Sequence, residues 1–301
     1  MSRWVDDVAG EPTWGLRRLR IPALWDEGLT GKGIRIGHLD TGVDAGHPAL
    51  GSAIVDFAEL DHLGLQLREP VWRDTSHHGT HTAGVIVGRH IGATRFGVAP
   101  GAHLVSAIVI DGGDLFARVL GGVEWAIARG VRIINLSLGV PRTDAAFMAI
   151  CRRIRRRGVL PVFAAGNGGS SLSHFPMTCA GALSVGAMTR DDDVWPRDTH
   201  LPDLLAPGTD VLSCLPRGGH GELAGTSMAA AHISGLAALL MEAVPSATVD
   251  DVERAILEST APLRGMPLEQ LNCGVPDGPR ALERLRAMVR EREQVMVGCP
   301  S

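Results

Sequence analysis

The stretch "IRIGHLDTGVD", Ile34 to Asp44, runs from an apolar, β-branched segment straight into an acidic, glycine-bearing turn. Its first half, Ile34–Leu39, predicts a buried strand. Similar runs recur at Leu104–Ile110, Arg132–Leu136, Val159–Ala164 and Leu183–Ala187. Helical patterns near Gly79–Gly88, Phe116–Arg129 and Asp144–Arg157 lie between them, and three more follow at Ser227–Val244, Val249–Glu258 and Pro279–Arg292. This alternation predicts an α/β fold, a three-layer, doubly wound, mostly parallel sheet in a single domain. No linker, low-complexity tract or internal repeat interrupts it. Such sheets bind ligands at the carboxyl ends of their strands. Asp40 follows a strand directly, so it stands where chemistry is expected.

Composition narrows the function classes. The chain has 301 residues, 45% apolar and 21% charged, with a net charge of −4, which points neither to nucleic acid nor to an anionic membrane. The run Met228–Val244 is broken by His232 and Glu242 and is too short to span a bilayer. The N-terminus, "MSRWVDDVAGEPTW", has no apolar core of a secretory signal. Five scattered cysteines (Cys151, Cys179, Cys214, Cys273, Cys299) suggest neither a zinc motif nor a disulfide framework. A reducing compartment, and hence a cytoplasmic location, is the expectation.

Asp-Thr-Gly by itself fits two chemistries. An aspartic protease needs two carboxylates sharing a proton, but this chain has one such tripeptide and no halves that resemble each other. Two further stretches point elsewhere: "HHGTHTAG", His77–Gly84, and "GTSMAAAH", Gly225–His232. Asp, His and Ser thus follow one another, each in a glycine-flanked turn. Serine becomes an effective nucleophile only when a base takes its proton, and a carboxylate must hold that base in one tautomer.

With these motifs, and with "GVAPGAHL", "INLSLG", "AAGN" and "LAPG" in support, the chain resembles the subtilases, the subtilisin-type serine proteases. The resemblance runs from Ile21 to Glu283, which makes residues 1–20 an N-terminal extension and 21–301 the peptidase domain. It implies that Asp40 orients, His78 is the general base and Ser227 is the nucleophile. The family motif His-Gly-Thr-His selects His78 over His77 and leaves His81 a structural role. It also implies that Asn167, in "FAAGNGG", donates to the oxyanion together with the Ser227 backbone N–H. Rival readings are a metal site of His77, His78 and His81, a plain helix cap at Ser227 and a plain turn at Asn167.

On the substrate side, the resemblance places extended peptide against Ser137, Leu138 and Gly139 and against Gly113 in the segment 112–115. The first specificity pocket is expected between Ser137–Gly139 and Ala164, Ala165 and Gly166, with His174 as its floor, hinting at a polar or acidic preference. The run "RRIRRRG", Arg152–Gly158, reads as a solvated helix end.

Three departures from the family pattern matter. Ala231 stands where "GTSMAAPH" has proline. The familiar calcium loop has Ile91 in place of an asparagine, and its partner aspartate is Ala49, so no metal and no cofactor is expected. Only about 20 residues precede the domain, so a cytoplasmic enzyme that folds unaided is expected, and its first 14 residues are candidates for a gate across the cleft. The implied function is a serine endopeptidase acting on a peptide or protein, without nucleic acid or membrane, and dedicated to a substrate such as a leader peptide. A broad-specificity intracellular protease and a non-catalytic subtilase-fold binding module are the alternatives. Neither oligomeric state nor the physiological substrate can be read from these residues.

Overall fold

The computed structural model describes residues 10–90, 93–112, 114–137, 145–167, 181–196, 202–263 and 274–297. Among them, seven strands form one parallel sheet: β1 (Arg35–Asp40), β2 (Ile54–Glu59), β3 (His103–Ile108), β4 (Ile133–Leu136), β5 (Leu160–Ala164), β6 (Leu183–Met188) and β7 (Leu204–Pro207). Their spatial order is β2-β3-β1-β4-β5-β6-β7. An antiparallel hairpin, β8 (Val211–Leu215) with β9 (Gly219–Leu223), stands apart. The helices are α1 (Trp14–Arg18), α2 (Ile21–Asp26), α3 (His78–Val87), α4 (Leu115–Ala128), α5 (Ala145–Arg156), α6 (Thr226–Ala243), α7 (Val249–Glu258) and α8 (Gly278–Val297).

The order explains where a site can form. β1 pairs with β3 on one side and β4 on the other, both parallel. The winding reverses at β1, and sheets of this kind bind ligands at the carboxyl ends of the strands at such a point. Asp40 is the last residue of β1. Two apolar cores flank the sheet. One contains Ile36, Ile86, Leu104 and the length of α6; the other contains Leu39, Val123, Ile134, Ile154 and Phe163. Neighbours Ile36 and Leu39 thus serve opposite faces, as strands covered on both sides require.

The helix α6 is buried from Thr226 to Met241, and alanine, serine and glycine fill its first turns. Small side chains let its backbone approach the sheet closely. Ala231 is fully buried inside it, and the helix runs unbroken through that position. Trp14, Leu16 and Leu19, which precede Ile21, pack in the same core as α6. Their segment is pinned by Thr13 N–H to Arg95 O (3.0 Å) and by Trp14 Nε1 to the carbonyls of Thr209 (3.1 Å) and Asp210 (3.0 Å). Residues 1–9 of the expected gate lie outside the described residues.

The arginine run ends α5 and is tied down by acids. Arg153 bonds Glu124, and Arg155 reaches Asp250 (2.6 Å) and Glu253 of α7. Among the described residues no helix is long and apolar enough to cross a membrane.

Candidate active site

The turn after β1 and the start of α3 meet through two glycines. Gly42 has φ +110°, and a Cβ there would lie 2.1 Å from Arg73 O. A Cβ on Gly79 would lie 2.0 Å from Gly42 O. Only hydrogen fits at either place, which explains in steric terms the glycines of Asp-Thr-Gly and His-Gly.

That contact sets His78 over Asp40. His78 Nδ1 lies 2.7 Å from Asp40 Oδ1, which also accepts the Thr41 N–H at 2.7 Å. Thr82, one turn along α3, donates to Asp40 Oδ2 at 3.1 Å. Asp40 is fully buried, while the His78 side chain is 28% exposed. Burial alone would raise the Asp40 carboxyl. The His78 charge and hydrogen bond and the Thr41 N–H outweigh it and hold the pKa below the ordinary value. The carboxylate charge of Asp40 in turn raises His78, against the opposing effect of its own burial. An ionised Asp40 puts the imidazole proton on Nδ1 and leaves Nε2 as the free base.

Ser227 sits in the first turn of α6 and is 6% exposed. Its hydroxyl donates to Ser137 O at 3.3 Å in this structure rather than to His78. Ser137 returns a bond from its own hydroxyl to Ser227 O (3.2 Å) and accepts from Asn135 Nδ2 (2.9 Å); Asn135 Oδ1 accepts from Ser234 (2.9 Å). The end of β4 is thereby laced to α6. Asn167 is exposed, and its Oδ1 accepts from both Thr226 N (3.0 Å) and Thr226 Oγ1 (2.9 Å). With the oxygen engaged, the amide NH₂ is the group left to donate. Thr226 Oγ1 also takes the Gly166 N–H at 3.0 Å. Ala164 and Ala165 are buried beneath, and Gly166 turns the chain at φ +107°. Of the other expected substrate contacts, Gly113, Leu138, Gly139 and His174 lie outside the described residues.

The three adjacent histidines have separate fates. His77 is exposed at the N-cap of α3. His81 is buried and bonds Val211 O (2.9 Å) and Gly221 O (3.2 Å) through Nε2. Burial pushes its pKa down to about 3, against those two carbonyls. His78 alone faces Asp40, so the three do not gather into one ligand set. Of the expected calcium-loop departures, Ile91 lies outside the described residues; Ala49 is buried and its carbonyl accepts the Arg89 N–H at 3.0 Å, while the Arg89 guanidinium reaches Ser52 Oγ and Pro100 O. An arginine cation and a methyl group make a poor calcium shell.

Three residues absent from the sequence reading support the site. Asp74 accepts Thr41 Oγ1 (2.7 Å) and Ser76 N (3.0 Å) on one oxygen, and Thr80 N (2.7 Å) and Thr80 Oγ1 (2.6 Å) on the other. It thus caps α3 and holds the Asp-Thr-Gly turn together. His38, fully buried, lies between Ser106 Oγ (2.9 Å at Nδ1) and Thr82 Oγ1 (2.9 Å at Nε2). Burial depresses its pKa despite Asp40 and Asp74 nearby, so it is neutral. Donation by Ser106 to Nδ1 and by Nε2–H to Thr82 leaves the Thr82 proton for Asp40. Thr226, which orients Asn167, is the third. Only Thr226, inside the Gly-Thr-Ser motif, carried a sequence signal.

Comparison with known proteins shows the family. The family model described as "Subtilase family" matches residues 31–282. Subtilisin BL of Lederbergia lenta is 36% identical over 241 residues, covering 77% of this chain and 85% of that protein. Subtilisin E of Bacillus subtilis is 34% identical over 270 residues, covering 86% and 68%. Subtilisin of Bacillus pumilus is 33% identical over 263 residues, covering 84% and 92%. The chain therefore belongs to the subtilase family and is a serine endopeptidase.

Proposed function

We propose that this endopeptidase works through Asp40, His78 and Ser227, with Asn167 at the oxyanion. The observation that carries the assignment is the 2.7 Å contact between His78 Nδ1 and the buried, ionised Asp40. Nε2 of His78 takes the proton of Ser227 Oγ as that oxygen attacks a peptide carbonyl. To do so the hydroxyl exchanges Ser137 O for His78 once substrate is bound, since such bonds tighten only in the complex. The Asn167 NH₂ and the Ser227 N–H, at the positive end of α6, receive the developing oxyanion. His78 then returns its proton to the leaving amine. Water repeats the cycle on the acyl-enzyme.

The substrate is an extended peptide lying beside Ser137, with Ala164, Ala165 and Gly166 walling its first side-chain pocket. Action on a dedicated peptide or protein such as a leader, in the cytoplasm, completes the proposal. The buried thiol of Cys214 is compatible with a reducing compartment. Mass spectrometry of a peptide library cleaved by the purified chain tests it. A narrow set of cleavage sites, abolished in Ser227→Ala, is expected. Indiscriminate cleavage would leave the chemistry and refute the dedicated substrate.

A further inference from the structure

We propose that His47, Cys214 and His220 form a binding site for one borderline-soft cation of the zinc class, where the β8–β9 hairpin meets the turn after β1. Each offers one ligand atom, and the three atoms lie within 4.8 Å of one another. The hairpin register sets Cys214 directly opposite His220, so both side chains leave the same face. His47 belongs to the turn after β1 and is joined to the hairpin through Nε2 and Gly219 O at 2.9 Å. Its ring meets that of His220 edge-on, with centroids 5.0 Å apart, and Phe96 closes on His220 from another side at 5.8 Å. The ring packing therefore sets both imidazoles beside the thiol.

One sulfur and two imidazole nitrogens form a donor set for tetrahedral zinc, with a fourth position left for water. His47 and Cys214 are buried and His220 is exposed, which leaves an entry path on the solvent side. Zn–S and Zn–N bonds of about 2.3 and 2.0–2.1 Å require the donors to close to roughly 3.5 Å. The exposed His220 side chain has the freedom to supply that movement. His47 gives up one of its two hydrogen bonds, to Gly219 O or from the Ala49 N–H (3.1 Å), in exchange for the metal. Burial, with Asp44 nearby, pushes the Cys214 thiol up to about 12. The thiol of Cys214 is thus protonated without a metal. A cation entering it displaces the thiol proton to solvent, so affinity falls as pH falls. His220, kept neutral by partial burial and by His47, presents a lone pair without losing a proton. The same hairpin holds His81 through Val211 O and Gly221 O, so an occupied site clamps the hairpin beside the helix that carries His78.

Titration of the purified chain with Co²⁺, followed by absorption, tests the site independently of proteolysis. A thiolate-to-cobalt charge-transfer band with tetrahedral d–d bands is expected to saturate at one equivalent and to vanish on adding Zn²⁺. His220→Ala, an exposed substitution, is expected to weaken cobalt binding at least tenfold, and Cys214→Ser to abolish the band. No charge-transfer band in the parent chain overturns the proposal, as does a band that survives Cys214→Ser. Should Cys214→Ser fail to fold, unchanged cobalt affinity in His220→Ala overturns it alone.

Discussion

At Asp40, burial and charge pull in opposite directions, and charge wins. A carboxyl in the interior would ordinarily hold its proton, yet His78 and Thr41 keep this one ionised. In the proposed mechanism it holds the His78 proton on Nδ1. Asp40→Asn keeps the shape and reverses the tautomer, so turnover is expected to fall about 10⁴-fold with KM nearly unchanged; steady-state kinetics on one peptide checks both. Thr82 is its second donor. In Thr82→Val the Asp40 charge falls more fully on His78, whose pKa is already raised. The acid limb of kcat/KM, expected above about pH 6.5 in the parent, then moves to higher pH. An unmoved limb would mean that Thr82 only packs. For Asn167→Ala the loss is about 10²–10³ in kcat, a figure that comes from subtilisin's own asparagine.

Among the elements, α3 shows how local chemistry sets a catalytic angle. Its first turn is fastened by Asp74, which takes four hydrogen bonds from Thr41, Ser76 and Thr80. Asp74→Ala strands several of those donors, and a stability loss of at least about 2 kcal/mol is expected, read as a fall in the denaturation midpoint. Asp74→Asn, which retains one acceptor oxygen, is expected to lose less. Nothing in the sequence sets Asp74 apart from a surface acid in a polar loop, since its partners meet only in three dimensions. The motif residues were legible because each carries a steric or chemical demand in its own neighbourhood, as Gly42 and Gly79 do. The central strands were legible for a similar reason, being buried on both faces and so continuously apolar. β2, "IVDFAE", is an edge strand with mixed burial, and β7, "LLAP", is four residues ending in proline. Their patterns are too weak to announce a strand, and the β8–β9 hairpin is likewise short and glycine-broken.

For the molecule as a whole, the buried histidines set the response to acid. Burial holds His81 at about 3 and His232 at about 4, the latter against its bond to Met228 O. Both depressed pKa values mean that the unfolded chain binds more protons below about pH 6.5. Their stability contribution is full above that pH and is lost as pH falls toward 4 and 3. His78, whose pKa is raised, works in the opposite sense: its contribution is full below about pH 6.5 and is lost as pH rises through its folded value. Denaturation midpoints are expected to fall steeply between pH 6 and 4, as the unfolded chain takes up protons that the buried His38, His81 and His232 do not, and His232→Gln to flatten that slope.

The parallel order that reverses at β1 sets Asp40 at the end of β1, where His78 of α3 meets it, and Ser137, which Ser227 of α6 bonds, at the end of the neighbouring β4. Whether Asp40, His78 and Ser227 are the working triad we propose is tested most directly by reacting the purified protein with a fluorophosphonate and locating the adduct by mass spectrometry. A single adduct on Ser227, formed faster as pH rises past the His78 pKa and absent from Ser227→Ala, is the predicted result. Peptide cleavage that persists undiminished in Ser227→Ala, or an adduct on another residue with Ser227 unmodified, would contradict it.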